Sequence, residues 1–269
     1  MAIVLNEYEW AEKMIHDRCL GSRPTETLNR VAKYYYENRY SKREIRRLLD
    51  QFLVSCDPDA SLFSWSDTLD KITKNASKYC LIQIDYIAIT QSELDAISSL
   101  DKLQEQKLAF TLLCVSKYWD AISERNNHWV NSPDREIFAM ANISVSSKRQ
   151  DLLYGKLLDA GMIRLSKKID NLNMQVVFGD EDCSTPVLYI KDFRNLGYQY
   201  MKLLGGPYFE CACCGITTKM VEHRSYQTRR GDVHHSGRGR KQKYCPSCAA
   251  EMRVKQSVEA VMRRRKQSS

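Results

Sequence analysis

Ser132-Pro-Asp134, Asn142-Ile-Ser-Val-Ser-Ser147 and Leu157-Leu-Asp-Ala-Gly161 punctuate the stretch of chain whose pattern decides the fold. Serine followed by proline reads as a helix start, with a capping oxygen and then a residue whose missing N–H costs nothing in a first turn. The short helix so opened carries Ile137, Met140 and Ala141 on one side. A polar turn from Asn142 to Ser147 separates it from a second helix, about Lys148 to Ala160. There Leu153, Leu157 and Leu158 face inward, and Lys148, Arg149, Gln150, Asp151 and Lys156 face out. Gly161 follows where a helix end needs a left-handed residue.

Working outward, Met162 to Lys168 and Met174 to Phe178 alternate with period two around Asx residues at Asp170, Asn171 and Asn173, which reads as a hairpin. Pro186-Val-Leu-Tyr-Ile190 is expected as a third strand beside it. Upstream, Leu108, Leu112, Val115 and Trp119 form one stripe of a long helix from about Lys102 to Ser123. Long helix, short helix, turn, helix and hairpin, with the Leu157-to-Ile163 ending, resemble the winged helix-turn-helix family, with a longer turn than its compact pattern. That resemblance implies a DNA-binding domain whose second helix enters the major groove of double-stranded DNA. It places Ser146, Ser147, Lys148, Arg149, Gln150 and Tyr154 near the bases, and Lys167 and Lys168 of the wing on phosphate.

Further on stand Cys211-Ala-Cys-Cys214 and Cys245-Pro-Ser-Cys248. Two residues between thiols let one tight turn aim both sulfurs at a single ion, and two such turns supply the four soft ligands of tetrahedral zinc. One Zn2+ on Cys211, Cys214, Cys245 and Cys248 is therefore expected, in a zinc ribbon with an unusually long insert between the pairs. Cys213, His223, His234 and His235 stand close enough in sequence to substitute for one ligand. Cys19, Cys56, Cys80, Cys114 and Cys183 are scattered singly, as in a reduced compartment. With no signal segment at the start of the chain, the cytoplasm is the expected location.

The net charge of +8 is unevenly spread. From Cys211 onward there are 14 Lys and Arg against 4 Asp and Glu, while the first 210 residues hold 27 against 29. Arg229, Arg230, Arg238, Arg240 and Lys241 lie in the insert, and Arg263, Arg264 and Arg265 end a helix running from about Ala249 to Lys266. Arg forks match phosphate oxygens, so this block reads as a polyanion-binding surface rather than a solvated tail. The ending Lys243-Tyr-Cys-Pro-Ser-Cys-Ala249, then a basic helix, resembles small zinc-ribbon proteins of bacteriophages and related mobile elements.

The first 78 residues read as helices. Leu28, Val31, Ala32 and Tyr35 make one stripe. Ser41-Lys-Arg-Glu44 is a capping box ahead of Ile45, Leu48, Leu49 and Phe52. Arg43, Arg46 and Arg47 fall on the opposite side, as on an ordinary solvated helix. Arg23 to Trp65, with Tyr34-Tyr-Tyr36 and Tyr40-Ser-Lys-Arg-Glu-Ile45, resembles the helical module that follows the catalytic part of some mobile-element primases, which implies replication. Leu81 to Thr90 alternates as a strand, and Gln91-Ser-Glu-Leu94 starts another helix.

Breaks near Lys78 and at Leu204-Gly-Gly206 divide the chain into a helical domain (1–78), a winged helix (79–204) and a zinc ribbon (205–269). The fold class expected is α+β, mostly α. No phosphate-binding loop or nucleophile constellation occurs, so a non-enzymatic protein is expected. Gly179-Asp-Glu-Asp182 reads as a solvated loop, with a metal-ion nuclease subunit as a weaker alternative. His16 and His128 have no evident carboxylate partner in sequence. No apolar run reaches membrane-spanning length. Regulation of transcription is the leading expectation. Replication initiation is the alternative, as is an adaptor whose zinc ribbon docks on a polymerase, helicase or RNA.

Overall fold

The computed structural model describes residues 3–166, 173–180, 185–220, 226–227, 233–234 and 242–267, with 226–227, 233–234 and 263–267 described by backbone alone. The chain is mixed α/β and mainly helical, and it divides into two compact units, Ile3–Ile87 and the part from Ala88 onward.

The first unit holds α1 (Glu7–Asp17), α2 (Pro24–Glu37), α3 (Lys42–Cys56) and α4 (Leu62–Asn75). Its core takes Leu28, Val31 and Ala32 of α2 and Ile45, Leu49 and Phe52 of α3 from the stripes read in sequence, and adds Leu53 of α3 and Leu69 and Ile72 of α4, while Leu48 is half-buried. The expected capping box opens α3, with Ser41 N–H donating to Glu44 Oε2 at 2.8 Å. Arg30 Nε donates to Glu7 Oε1 at 2.7 Å in a buried pair, and Ile82 N–H donates to the other oxygen of Glu7 at 3.1 Å. Arg46 bridges Asp50 and Asp70, which removes it from the free cations of α3.

The second unit is built around one long helix. In chain order it contains β1 (Ile87–Thr90), α5 (Gln91–Ser98), α6 (Leu103–Ser123), β2 (Trp129–Val130), α7 (Asp134–Met140) and α8 (Ser147–Asp159). There follow β3 (Ile163–Leu165), β4 (Met174–Val176), β5 (Pro186–Ile190) and α9 (Leu196–Leu203). The C-terminal part adds β6 (Tyr208–Glu210), β7 (Thr217–Lys219), β8 (Tyr226–Gln227), β9 (Val233–His234) and α10 (Pro246–Gln267). Leu108, Leu112 and Val115 are buried in α6, but so are Ala109, Phe110, Thr111, Leu113, Cys114, Ser116, Lys117, Tyr118 and Asp120. A helix apolar on most sides belongs inside rather than against one wall. Accordingly α5, α7, α8, α9, β2 and β4 all pack on α6.

The hairpin forms as expected, with Ile163 opposite Val176 and Leu165 opposite Met174. The third strand does not. β5 pairs with β1 in a separate two-stranded sheet, and β2 takes the free edge of β4 to give the order β2-β4-β3. A two-residue strand carries too little alternation to be read from sequence. The expected Ser132 cap is also corrected. Pro133 occupies the N-cap of α7, and the Ser132 hydroxyl accepts from the Trp119 indole N–H at 3.1 Å.

Sequence reading missed α9, whose inward Leu196 and Tyr200 pack it along α6. Gly197 makes that packing work, because a Cβ there would lie 1.9 Å from the Ala141 carbonyl oxygen at the end of α7. Gly205 and Gly206 close α9, donating their N–H groups to Lys202 O at 3.0 Å and Met201 O at 2.9 Å.

Candidate metal centre

The C-terminal module is assembled by two turns that meet. β6 and β7 form a hairpin in register Tyr208–Lys219 and Glu210–Thr217, and the first cysteine pair sits at its tip. Gly215 has φ +74, the left-handed geometry that lets the tip reverse without a Cβ in the way. Cys211 N–H donates to Ile216 O at 2.9 Å, and Gly215 N–H to Cys211 O at 2.9 Å. The second pair lies at the start of α10. Pro246 opens the helix and Cys248 falls in its first turn, so the helix begins earlier than the sequence pattern indicated. Ala212 N–H donates to Lys243 O at 2.9 Å and joins the two turns.

The four sulfurs of Cys211, Cys214, Cys245 and Cys248 all lie within 4.8 Å of one another. Cys211, Cys245 and Cys248 are buried and Cys214 is half-buried. Among the described residues no other group of His, Cys, Asp or Glu has this geometry. Cys213, the odd thiol of the first pair, is exposed and outside the cluster. The side chains of His223, His234 and His235 lie outside the described residues. Among the described cysteines none is in a disulfide, while Cys183 lies outside them.

The surroundings of the cluster favour one thiolate, at Cys211. Burial raises the Cys211 pKa, but N–H donors of Cys214, Cys245 and Cys213 outweigh it and bring it to about 6. Cys245 N–H donates directly to Cys211 Sγ at 3.2 Å, and Cys248 N–H to Cys245 Sγ at 3.5 Å. Burial and the neighbouring thiols push Cys248 the opposite way, as expected when sulfurs crowd together. One thiolate forms readily, whereas thiolates at Cys214 and Cys248 need a cation to share their charge. The α10 N-terminus adds the positive end of a helix dipole beside them. A soft divalent ion fits this donor set, and zinc chemistry would there be structural, with all four positions filled by protein.

The residues expected to meet nucleic acid fall into three groups. Ser146, Ser147, Lys148 and Arg149 are exposed at the start of α8, and Gln150 is half-buried there, with its amide 3.4 Å from Val145 O. Tyr154 is different and is withdrawn from the surface set. It is 9% exposed, packs edge-on against Phe138, and donates its hydroxyl to Asp134 Oδ1 at 2.9 Å. Burial and the Asp134 carboxylate raise its pKa further, so the phenol stays protonated. The third group lies outside the described residues: Lys167, Lys168, Arg229, Arg230, Arg238, Arg240 and Lys241, and the side chains of Arg263, Arg264 and Arg265. Of the insert, β8 and β9 are described, as an antiparallel pair.

A buried polar group also escaped sequence reading. Lys117 Nζ pairs with Glu93 Oε1 at 2.7 Å and donates to Ala88 O at 2.9 Å. His128 has a carboxylate partner after all: its Nδ1 lies 2.5 Å from Asp120 Oδ2, across the turn that ends α6. Asp180 is not merely solvated. Its carboxylate accepts from Thr90 Oγ1 at 2.5 Å and from Ser92, and its N–H donates to Glu93 Oε1 at 2.8 Å. Those hydroxyl donors hold the Asp180 pKa below its ordinary value. Asp182 lies outside the described residues. Among the described residues no helix is long and apolar enough to cross a membrane. No family model, curated protein or solved structure matches this chain.

Proposed function

We propose that this is a zinc-dependent, DNA-binding regulatory protein. In this reading α6 to β4 act as a winged helix-turn-helix, and α8 contacts base edges in the major groove. The observation that carries it is the arrangement around α8. Leu153, Tyr154 and Leu157 anchor one side of the helix, while Ser146 to Arg149 stand exposed at its first turn. The chain order from α6 through β2, α7 and α8 to the antiparallel β3–β4 hairpin supports the same reading. Transcriptional control is the leading role and replication initiation the alternative, in a phage or related mobile element.

Division of labour follows from charge. The block beyond Cys211 supplies sequence-independent phosphate attraction, and α8 supplies preference. Selection of bound duplexes from a random pool should return one shared site. Arg149→Ala should lower preference for it by about 1–3 kcal/mol with little change in non-specific affinity. Removal of residues 211–269 should weaken binding to all DNA and flatten its salt dependence. If the pool returns no shared site, or Arg149→Ala leaves preference intact, the reading of α8 fails.

One observation favours a second reading, an adaptor that docks on a polymerase, helicase or RNA, and among these on a protein. Leu152 on α8 and Leu165 on β3 are 52% and 48% exposed. Exposed apolar side chains suit a protein partner better than a phosphate backbone.

A further inference from the structure

We infer that Asn195 is a positioning residue that carries the state of the cysteine cluster to the turn in front of α8. The inference rests on the reading of α8 as the recognition helix for its functional consequence, but the linkage itself stands on hydrogen bonds. On one side, Asn195 Nδ2 donates to the carbonyl of Thr217 at 2.9 Å, three residues past Cys214. On the other, Asn195 Oδ1 accepts from Asn142 Nδ2 at 2.9 Å, and Asn142 opens the turn between α7 and α8. One amide therefore spans from the metal hairpin to the turn.

Neighbouring contacts fix both ends. Arg194 Nη2 donates to the Cys214 carbonyl at 2.7 Å, and Asp192 holds that guanidinium through both carboxylate oxygens. Asn142 Oδ1 accepts from Tyr198 N–H at 3.1 Å, and Asn142 O accepts from Lys107 Nζ at 2.8 Å. Asn142 and Asn195 both have positive φ, 53 and 58, which asparagine tolerates better than most residues. Two asparagines in this strained geometry, bonded amide to amide, keep α9 against the end of α7 where Gly197 leaves no room for a side chain.

The direction of the effect follows from what holds the hairpin tip. Among the described residues its local core is the cysteine set with Ile216 and Tyr244. Without a cation the thiols have nothing to share, the tip opens, and the Thr217 and Cys214 carbonyls leave their donors. Asn195 then loses the bond that orients it toward Asn142, and the turn before α8 loosens. Metal loading thus sets how firmly α8 is presented.

Amide hydrogen exchange on the full chain without DNA tests this, comparing zinc-loaded protein with protein stripped by a chelator. In the wild type, stripping should speed exchange across residues 142–150 about fivefold, the scale of one lost hydrogen bond. Re-adding zinc should reverse it, and α4 should not respond. Asn195→Gly keeps the backbone free to hold positive φ. It should retain zinc yet show the faster exchange when loaded, with no further response to stripping. Should that variant not fold, Arg194→Met removes the companion bond and should give a smaller acceleration with zinc bound. Unchanged exchange at 142–150 in stripped wild type, while 208–219 responds, overturns the inference. So does a full wild-type response in Asn195→Gly. Coupling without DNA binding would instead defeat the functional reading and leave this linkage standing.

Discussion

The four-helix unit and the cysteine module solve the same problem with different materials. The first buries Leu28, Val31, Ile45, Leu49, Leu53 and Leu69 completely, so its helices are held by apolar area removed from water. The second has Cys211, Cys245 and Cys248 at its centre, with Cys214, Ile216 and Tyr244 against them. That is too little apolar surface to order a hairpin and a helix start on its own. We propose that a structural ion supplies the missing free energy, which in small zinc modules is of order 10–16 kcal/mol near neutral pH. On that proposal one region is stable by composition, and the other by a ligand it must acquire.

The largest expected effect breaks this contrast from the metal side. Cys214→Ser should release the ion and melt the 208–267 module, seen as lost exchange protection in β6 and β7, while the unfolding transition of 3–87 stays in place. Equal loss of both regions would contradict the contrast. Metal affinity should also fall as pH drops, because binding displaces protons from thiols such as Cys248 whose pKa is raised in the cluster. A competition titration against a chelator at several pH values measures this, and a pH-independent affinity would argue against thiolate ligands.

Next in size is a break from the apolar side. Leu49→Ala removes a fully buried side chain from α3 and should cost about 2–5 kcal/mol in the helical unit, with metal content unchanged. Denaturant unfolding followed by far-UV circular dichroism reads the first, and metal analysis the second. The smallest effect sharpens the account. Ser41→Ala takes away the cap of α3 and should cost about 1 kcal/mol. No change in the midpoint would mean that the Glu44 bond to the Ser41 backbone carries the helix start alone.

Features with local causes were legible in sequence. The Ser41–Glu44 box, the stripes of α2 and α3, the Met162–Val176 hairpin and the spacing of the four cysteines each follow from residues close in the chain. What was hidden depends on distance. His128 and Asp120 are brought together by a turn, Asp180 reaches back to Thr90 and Ser92, and β5 chooses β1 over the nearer hairpin. The winged-helix resemblance put Tyr154 near the bases, and the sequence could not show Asp134 as the acceptor of its hydroxyl. The turn at Asn142 was visible, but its bond to Asn195 was not.

The central claim is that four thiolates of this chain hold one metal ion, and elemental analysis tests it most directly. Protein purified without added metal should carry one zinc per chain, and serine at Cys211, Cys214, Cys245 and Cys248 together should abolish it. Metal content unaffected by those four substitutions would contradict the account.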